Sequence, residues 1–379
     1  MNHEKTLRIT DLARGGAGVA RDEEGRVIFV PFTAPGDQVR VRIVEERRRQ
    51  YAQAELLEIL QPSPDRITPR CPAFGKCGGC QWQHLPYSLQ WKTKSGGIQH
   101  ALSRVQVEMP AAFDELPAEK IWEYRNRIQL RGMGAQIGFF KSGSQDLVPV
   151  DRCDIADSRM NNSWEETRKL GTRYSRPYKV EVEVLPSGEI QRTWNARHAA
   201  GGFRQVHDEQ NNKLQNWVKE QIPEGGVLYD LFGGAGNLSL PLAGRRTEIH
   251  CVDLGAPQRE PFTLNSDGGK STQYSFHRAP VLEWILKKAE KSQENSSSND
   301  SGVAILDPPR IGLDRDFGQI AVALEKLGVN RIVAVGCDAD AWARDVSRWV
   351  KRGWRLERVL TLDLFPQTPH IEAVGVLAL

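Results

Sequence analysis

The part of the chain after about residue 200 alternates short apolar segments with polar or helical ones. The apolar segments are VLYDLF, EIHCVD, VAILD, RIVAVG, RVLTLDLF and AVGVLAL. Apolar runs of this length that alternate with helical patterns are typical of strands in a doubly wound sheet. We therefore predict an α/β domain with a Rossmann-like sheet over residues 201–379.

A glycine-rich loop follows the first of these strands, in the stretch YDLFGGAGNLSLPLA. Gly233, Gly234 and Gly236 let the backbone turn sharply and approach a ligand closely, although such a loop can also be a purely structural turn. The next strand ends in Asp253, close to the separation of roughly 20 residues at which an acidic residue of this fold binds ribose hydroxyls. Together they predict a site for an adenosine-type ligand.

Two further strands end in residues that can carry chemistry. Asp307 ends one strand in VAILDPPR, and Cys337 follows another in VAVGCDADAWARD. An Asp there can also cap a turn, and a cysteine after an apolar strand is more often buried structure than catalyst. Because open sheets place substrate groups at the carboxyl ends of their strands, we expect both side chains near the ligand.

The last strand segment supplies a candidate base. His370 and Glu372, in DLFPQTPHIEAV, point to the same face if the segment is extended. A thiol and a carboxylate beside a site for S-adenosylmethionine fit the methylation of uracil at carbon 5. That carbon is a poor nucleophile until a thiolate adds to carbon 6, and after methyl transfer a base must remove the carbon 5 proton. Cys337 is therefore the candidate nucleophile, and Glu372 the candidate base.

Besides methylation of uracil at carbon 5, two other functions are compatible with these motifs. Methylation of an exocyclic amine at the Asp-Pro-Pro motif is the alternative reaction, but such enzymes often carry an aromatic residue where this chain has Arg310. A non-enzymatic RNA-binding protein with a vestigial fold is the alternative from another class. Methylation in a Cys337→Ala variant would indicate the first, and failure to bind the cofactor the second.

The first 70 residues contain short strands separated by glycine and proline, a spacing that favours a small β-barrel. Pro62, Pro64 and Pro69 mark a boundary, after which residues 71–200 show no clear period and predict no topology. The basic run of Arg47, Arg48 and Arg49 fits a solvated loop, as does the polar stretch 287–302.

No apolar segment approaches the roughly 20 residues needed to span a membrane, and we expect a cytoplasmic protein.

Six cysteines in a chain with no export signal favour metal binding or catalysis over disulfides. Cys71, Cys77 and Cys80 cluster in CPAFGKCGGC, and Cys153 lies apart in VDRCDI. Clustered thiols indicate zinc or an iron–sulfur cluster, and spacing alone does not choose between them. The gap between Cys71 and Cys77 is wider than in radical S-adenosylmethionine enzymes, and Cys251 is interpreted as structural.

Along nearly its full length the sequence resembles the bacterial RNA 5-methyluridine methyltransferases, the 23S ribosomal RNA enzymes in particular. ITDLARGGAGVAR and VIFVPFTAPGDQVRVRI resemble their TRAM domain, an RNA-binding OB-like barrel, and CPAFGKCGGCQWQHLPYSLQWK resembles their cluster loop. The resemblance implies a barrel over residues 1–70, a mixed α+β cluster domain over 71–200 and an S-adenosylmethionine-dependent methyltransferase domain over 201–379. It also implies a [4Fe–4S] cluster on Cys71, Cys77, Cys80 and Cys153.

The resemblance assigns roles to single residues. GGFRQVH is similar to the family's F-Q-V-N segment, so that Gln205 is implied to contact the cofactor, as are Phe232, Asn237, Asp253 and Asp307. Asp307 is also implied to lie near the uracil, with Cys337 as nucleophile and Glu372 as base. The sequence departs from the family's motifs at three places. His207 replaces the usual Asn, Pro280 stands where a polar side chain often contacts adenine, and GCDAD replaces S-C-N-P. We expect the first two to weaken or reshape cofactor binding.

The implied partner is a structured RNA, with 23S ribosomal RNA favoured and transfer RNA as the nearest alternative. The target uridine would flip out to the carboxyl edge of the sheet. Trp82, Trp91, Lys92 and Lys94 are candidates for RNA contacts, although the aromatic residues fit a hydrophobic core better. No obligate protein partner is evident, and we expect a monomer.

Overall fold

The computed structural model describes residues 4–47, 51–196, 204–265, 269–293 and 302–379. Within these ranges the chain forms two compact units, each assembled from segments that are not contiguous in sequence. The first unit comprises Met1–Lys94, Glu119–Arg197 and Phe365–His370, and the second comprises Ser95–Ala118, His198–Leu364 and Ile371–Leu379. The division into three domains at residues 70 and 200 stays a prediction.

Some of the segments singled out in the sequence lie outside the described residues. They are Arg48 and Arg49 of the basic run, residues 294–301 of the polar stretch and the first three residues of GGFRQVH. In the described part of the chain, no helix is both long and apolar enough to cross a membrane.

The first unit begins with a small barrel whose strands are β1 (Glu4–Arg8), β2 (Asp11–Leu12), β3 (Gly18–Arg21), β4 (Val27–Val30), β5 (Gln38–Arg47) and β6 (Tyr51–Gln61). Their order in the sheet is β1-β5-β6-β4-β3-β2. Strands β1 and β2 lie at the two ends of this order although only two residues separate them in the chain, so that the sheet curls back on itself. Small and β-branched side chains such as Ala20, Ile28 and Val41 alternate into its core. This agrees with the predicted barrel.

Two elements follow, α1 (Tyr87–Arg104) and β7 (Ala112–Leu116). The rest of the first unit is a second sheet of β8 (Arg127–Met133), β9 (Gln136–Phe140), β10 (Leu147–Pro149), β11 (Tyr178–Val184) and β12 (Ile190–Trp194), with helices α2 (Ser158–Asn162) and α3 (Trp164–Gly171). It is antiparallel throughout, in the order β10-β9-β8-β11-β12. Met160 and Trp164 of the two helices pack into its core. The sequence had predicted no topology here.

The second unit is built on a nine-stranded sheet, in the order β15-β16-β14-β13-β17-β18-β20-β19-β7. Its strands, besides β7, are β13 (Val227–Leu231), β14 (Glu248–Asp253), β15 (Phe262–Asn265), β16 (Ser271–Arg278), β17 (Gly302–Leu306), β18 (Val329–Gly336), β19 (Arg355–Leu362) and β20 (Glu372–Ala378). Its helices are α4 (Asp208–Gln221), α5 (Val281–Gln293), α6 (Phe317–Lys326) and α7 (Ala339–Lys351). The predicted Rossmann-like sheet is confirmed.

The strand directions bring several loops to one edge of this sheet. The five strands β16, β14, β13, β17 and β18 are parallel, and the strand order reverses at β13, which is the place where open α/β sheets bind ligands. Strand β20 runs antiparallel to β18, with Ala373 opposite Gly336. The amino end of β20 therefore lies at the same edge as the carboxyl ends of the parallel strands.

Candidate active site

The loop that follows β13, residues 232–238, is held in an unusual backbone conformation, and we call it the cofactor loop. Phe232 has a φ of 65°, which costs a non-glycine residue about 1–2 kcal/mol, and Gly236 has a φ of 82°. The N–H groups of Phe232 and Gly233 donate to the Val252 carbonyl at 2.9 and 3.3 Å. Strained backbone of this kind concentrates at functional sites, since surrounding structure has to hold it in place.

A buried polar network supports the cofactor loop from below. The Ser239 hydroxyl donates to the Asp230 carboxylate and lies 2.7 Å from the Tyr274 hydroxyl. A Cβ at Gly233 would lie 2.4 Å from Asp230 Oδ2, and a Cβ at Gly236 would lie 2.5 Å from the Tyr274 hydroxyl oxygen. At these two glycines the loop therefore packs so closely on the network that there is no room for a side chain. Sequence reasoning missed Ser239 and Tyr274, because no motif or spacing marks them.

Of two further predicted cofactor contacts, Asn237 belongs to this loop and Asp253 lies at the end of the neighbouring strand. Asp253 ends β14, and its Oδ1 accepts a hydrogen bond of 2.5 Å from Gly255 N–H. Asn237 exchanges amide hydrogen bonds of 2.9 and 3.0 Å with Asn211, which joins the loop to α4. Gln215 donates to the Asn237 carbonyl at 2.8 Å. The Asn237 side chain thus fixes the loop on α4.

His207 and Pro280, the two departures from the family's motifs that are expected to reshape cofactor binding, lie at the starts of helices. His207 is buried and caps α4, since its Nδ1 accepts from Gln210 N–H at 3.4 Å. Gln205 is also buried and lies just before this cap. Pro280 is exposed, and its carbonyl accepts from Trp284 N–H at 3.1 Å in the first turn of α5. His207 therefore performs a capping role that Asn commonly performs.

The predicted nucleophile and base come together at the sheet edge. Cys337 directly follows β18 and Glu372 begins β20, so that the pairing of Gly336 with Ala373 sets the two side by side. Asp307 follows the neighbouring strand β17. Strands that are far apart in sequence thus carry the thiol and both carboxyl groups to one place.

Burial and mutual repulsion dominate the electrostatics of these groups. Burial raises the pKa of Cys337 to about 11, Glu372 and Asp307 act in the same direction, and Arg310 opposes them. Burial also raises the pKa of Glu372 well above its usual value, with Asp307 adding to the shift and Arg310 opposing it. The pKa of Asp307 is raised to about 7, by burial first and then by Asp230 and Asp253. Arg310 thus favours the anionic form of both Cys337 and Glu372.

Helix α7 adds a second influence on the thiol. It begins right after Cys337, with Asp338 as its N-cap accepting from Ala341 N–H at 2.9 Å. Trp342 Nε1–H donates to the Ala334 carbonyl at 3.0 Å and fixes the helix on β18. The positive end of a helix dipole favours a thiolate over a thiol.

His370 does not share a strand with Glu372. It lies in the irregular segment before β20, and its ring packs edge-on against Phe365 at 6.0 Å. The extended conformation that would have placed both side chains on one face begins only at Glu372.

In the first unit, Cys71, Cys77, Cys80 and Cys153 line one cavity of about 210 Å³, which we call the thiol cavity. None of these thiols is in a disulfide. Gln83 ties two of them together, because its Oε1 accepts from Cys71 N–H at 3.0 Å and its side chain hydrogen-bonds Cys80. Burial raises the pKa of Cys80 to about 12 and that of Cys153 to about 11, and the neighbouring thiols add to both shifts.

Two further observations describe what the thiol cavity could hold. Arg125 lines it, and its buried Nε has no hydrogen-bond partner among the described residues. Within those residues, no group of three or more His, Cys, Asp or Glu side chains is placed to hold a metal ion. The cavity therefore brings four thiols and a cation to one place.

The residues considered for RNA contacts divide into buried and accessible ones. Trp82 is fully buried, and its Nε1–H donates to the Gly16 carbonyl at 2.9 Å. Lys94 is also buried and donates to the Phe365 carbonyl at 3.1 Å. Trp91 is half-buried and Lys92 is exposed. Trp82 and Lys94 are therefore committed to packing within the first unit.

Comparison with known proteins identifies relatives of the whole chain. A TRAM domain model matches residues 2–57, and a model described as tRNA (uracil-5-)-methyltransferase matches residues 182–378, just over half of the chain. The chain is 29% identical to an RNA methyltransferase of Thermosynechococcus vestitus, over 98% of this chain and 97% of the relative. It is also 29% identical to an RNA methyltransferase of Bdellovibrio bacteriovorus, over 98% of this chain and 94% of the relative.

A solved structure shares the fold. The chain is similar to the tRNA (uracil-54, C5)-methyltransferase of Pyrococcus abyssi in complex with S-adenosyl-L-homocysteine, with a TM-score of 0.68 and 21% identity over 98% of this chain and 99% of that one. The family predicted from the motifs is thus confirmed. The chain belongs to the tRNA (uracil-5-)-methyltransferase family and is an S-adenosylmethionine-dependent RNA methyltransferase with an N-terminal TRAM domain.

Proposed function

We propose that the protein methylates carbon 5 of a uridine in a structured RNA, with 23S ribosomal RNA as the favoured substrate and cytoplasm as its location. The observation that carries the proposal is the meeting of Cys337, Glu372 and Asp307 at the edge where the cofactor loop lies. The resemblance of the TRAM and cysteine motifs to ribosomal RNA enzymes supports 23S RNA. Transfer RNA is the second candidate, since the Pyrococcus relative acts on it.

S-adenosylmethionine supplies an electrophilic methyl group when bound. The cofactor loop with Phe232, the ribose-binding position of Asp253, and Gln205 would hold it, and the left-handed backbone of the loop fits a close approach to a ligand. Asn237 would act through the hydrogen bonds that join the loop to α4. Asp307, between this loop and the thiol, would contact both cofactor and uracil.

The thiolate of Cys337 would start the reaction on the RNA. Its sulfur adds to carbon 6 of uracil, and the electron pair of the carbon 5–carbon 6 double bond moves toward the carbonyl at carbon 4 as an enolate. Carbon 5 would thereby become nucleophilic and take the methyl group, whose former bonding pair would remain on the sulfur of S-adenosylmethionine. Because burial raises the pKa of the Cys337 thiol to about 11, the thiolate is scarce at neutral pH, and it is favoured by Arg310, which opposes that shift, and by the α7 dipole.

Glu372 would complete the cycle. Its carboxylate takes the proton from carbon 5, the electron pair of that bond restores the double bond, and the carbon–sulfur bond breaks to release the Cys337 thiolate. A carboxylate in a low-dielectric site is a stronger base than one in water.

The test uses RNA that carries 5-fluorouridine. Fluorine at carbon 5 leaves no proton for Glu372 to remove, so that a covalent protein–RNA adduct should accumulate and survive a denaturing gel. We expect Cys337→Ala to lose both methylation and adduct, while Asp340→Asn, an exposed acidic residue on α7, retains both. Methylation by Cys337→Ala would instead indicate amine methylation at the Asp-Pro-Pro motif. Failure of the wild-type chain to bind S-adenosylmethionine in calorimetry would indicate a vestigial fold.

The substrate is decided by a separate measurement. Mass spectrometry of 23S and transfer RNA from a deletion strain should reveal one 5-methyluridine missing from the 23S RNA. A loss confined to transfer RNA would contradict the ribosomal assignment and leave the chemistry intact.

We further propose that the thiol cavity holds a [4Fe–4S] cluster on Cys71, Cys77, Cys80 and Cys153. The support is that these thiols share one cavity with the unpaired Nε of Arg125, which suits an anionic guest. Zinc on the same thiols is the alternative metal, and within the described residues no group of three or more His, Cys, Asp or Glu side chains is placed to hold a metal ion. The cluster would cross-link distant parts of the first unit, with no part in methyl transfer.

Iron and sulfide analysis after anaerobic purification tests the cluster. We expect four irons and four sulfides per chain, lost in Cys80→Ser and kept in Cys251→Ser, whose buried thiol lies outside the thiol cavity. Stoichiometric zinc without sulfide would refute the cluster.

A further inference from the structure

The segment that carries Arg310 is a tight turn. Gly312 N–H donates to the Pro309 carbonyl at 2.7 Å, which places Arg310 and Ile311 at the two corners. Gly312 has a φ of 73°, a conformation that a side chain rarely adopts. We call residues 309–312 the arginine turn. Its geometry decides where the guanidinium of Arg310 can reach.

Three side chains of α7 form hydrogen bonds with the backbone at the end of the arginine turn and just after it. Asp345 Oδ2 accepts from Leu313 N–H at 2.6 Å. The guanidinium of Arg344 donates to the Ile311 carbonyl, and that of Arg348 donates to the Asp314 carbonyl at 2.7 Å. Every one of these contacts is made to the backbone, so that they fix the path of the chain.

Asp345 is the centre of this attachment. It is only 7% exposed, and its Oδ1 accepts from Arg344 Nε at 3.2 Å and from Arg348 at 3.4 Å. Its Oδ2 lies so near the turn that a Cβ at Gly312 would be 2.2 Å away. A buried carboxylate with these partners is a rigid anchor, since any shift would leave its charge unpaired.

The same helix also supports the nucleophile. Cys337 immediately precedes the Asp338 cap of α7, and Asp345 lies two turns further along. The arginine turn and the thiol are therefore attached to one rigid element, which sets their relative position.

We propose that Asp345 is a positioning residue that holds the arginine turn, and so keeps the Arg310 guanidinium beside Cys337 and Glu372. The proposal rests on the proposed function for its catalytic meaning, but the positioning itself is a property of the folded chain. Asp345 touches neither reacting group and acts through Arg310.

Arg310, Cys337 and Asp345 line one cavity, and the charges around the thiol agree with this role. Glu372 on β20 and Asp307 after β17 both raise the pKa of the thiol, whereas Arg310 lowers it. Arg310 also opposes the raised pKa of Glu372. If the arginine turn relaxes, the thiol is left facing two carboxyl groups, and the thiolate becomes rarer.

The first measurement is the rate at which iodoacetamide alkylates Cys337 as a function of pH, followed by peptide mass spectrometry. It reports the thiolate population whether or not the protein methylates RNA. We expect Asp345→Ala to slow alkylation about tenfold at a fixed pH below the pKa, since loss of a neighbouring opposite charge moves a pKa by roughly one unit or more. Asp345→Asn should recover part of the rate, because its amide oxygen can still accept from Leu313 N–H. Asp340→Asn, also on α7, should match wild type.

The decisive step is a double-mutant cycle. Arg310→Ala should slow alkylation to a similar extent, and Asp345→Ala should add little in that background if it acts through Arg310. If the two effects multiply, or if Asp345→Ala leaves the pH profile unchanged, the positioning role is refuted. Should Asp345→Ala fail to fold, Arg344→Ala replaces it, because its side chain is partly exposed and it loses only the Ile311 anchor and a bond to Asp345.

Adduct formation on 5-fluorouridine RNA separates this proposal from the proposed function. A wild-type chain that forms no adduct would overturn the uridine chemistry while the alkylation result still decides the role of Asp345. Given adduct formation, Asp345→Ala should form adduct about 10- to 100-fold more slowly, with unchanged affinity for S-adenosylmethionine.

Discussion

Glu372 lies next to Cys337 because β20 runs antiparallel to β18, with Ala373 directly opposite Gly336. A parallel final strand would have carried its first residue to the far edge of the sheet. The reversed direction of one strand thus brings a buried carboxyl to the thiol, and Glu372 adds to the raised pKa of Cys337.

Glu372→Gln should separate the two halves of the reaction. The amide cannot take a proton from carbon 5, so that methylation of ordinary RNA should stop at a methylated adduct on Cys337. We expect turnover to fall by about 10²- to 10⁴-fold, and the adduct to be visible on a denaturing gel. Glu357→Gln, on the neighbouring strand β19, is the matched control, since Glu357 pairs with Arg331 at the surface. Turnover within a few-fold of wild type would exclude Glu372 as the base.

The single-turnover rate should rise with pH across the neutral range. The pKa of Cys337 is raised to about 11, so that the thiol is mostly protonated near neutrality. Raising the pH below this value increases the thiolate population, and the rate should grow by about tenfold per unit. Rapid-quench measurements from about pH 6 to about pH 9 would show this. A rate that falls with pH would mean that a protonated group is required.

Gly236→Ala should weaken cofactor binding. Gly236 has a φ of 82°, and an added Cβ would meet the Tyr274 hydroxyl at 2.5 Å, so that the cofactor loop would have to move. A backbone cost of about 1–2 kcal/mol corresponds to roughly a tenfold loss of S-adenosylmethionine affinity in calorimetry. Gly318→Ala, on α6 with open space around it, should leave the affinity unchanged. Equal affinities in both variants would argue against the loop as the site.

The sequence predicted the strands of the Rossmann-like sheet well, because β13, β14, β17 and β18 are continuous apolar runs in the centre of a sheet. It did not predict β16, whose residues Ser271–Arg278 alternate polar and aromatic side chains and contain no aliphatic run. It also missed β7, which joins the same sheet from a segment more than 100 residues before β13 in the chain. Pairing of this kind depends on tertiary packing and leaves no local signal.

For the site, the sequence identified residues by the strands that they follow, and the structure places Asp307 directly after β17 and Cys337 directly after β18. It could not place Arg310, because the arginine turn owes its shape to Asp345 on another element. Nor could it show that the Asn237 side chain is bonded to Asn211. Strand ends are visible in a sequence, whereas the contacts that support them are not.

Asp37→Asn should destabilise the first unit. Asp37 is fully buried and accepts from Ala34 N–H at 2.6 Å, from Ser63 N–H at 2.8 Å and from Arg66. Breaking a buried pair of this kind costs about 3–5 kcal/mol, measured by urea unfolding. Burial raises its pKa, but Arg66 and the two N–H donors outweigh this and hold the pKa below its usual value. The stabilisation is therefore present above the unfolded pKa and is lost as the pH falls through the folded one. Asp65→Asn, an exposed neighbour, should show neither effect.

Removal of the proposed cluster should affect stability and cofactor binding differently. If Cys153 is linked to Cys71, Cys77 and Cys80 through one cluster, it closes a loop of roughly 80 residues, and opening such a loop costs about 4 kcal/mol by chain entropy. We therefore expect ferricyanide and a chelator to lower the unfolding temperature of the first unit. S-adenosylmethionine affinity should remain, since the cofactor loop and its buried network belong to the second unit. Loss of that affinity together with the iron would show that the cluster supports the methyltransferase site itself.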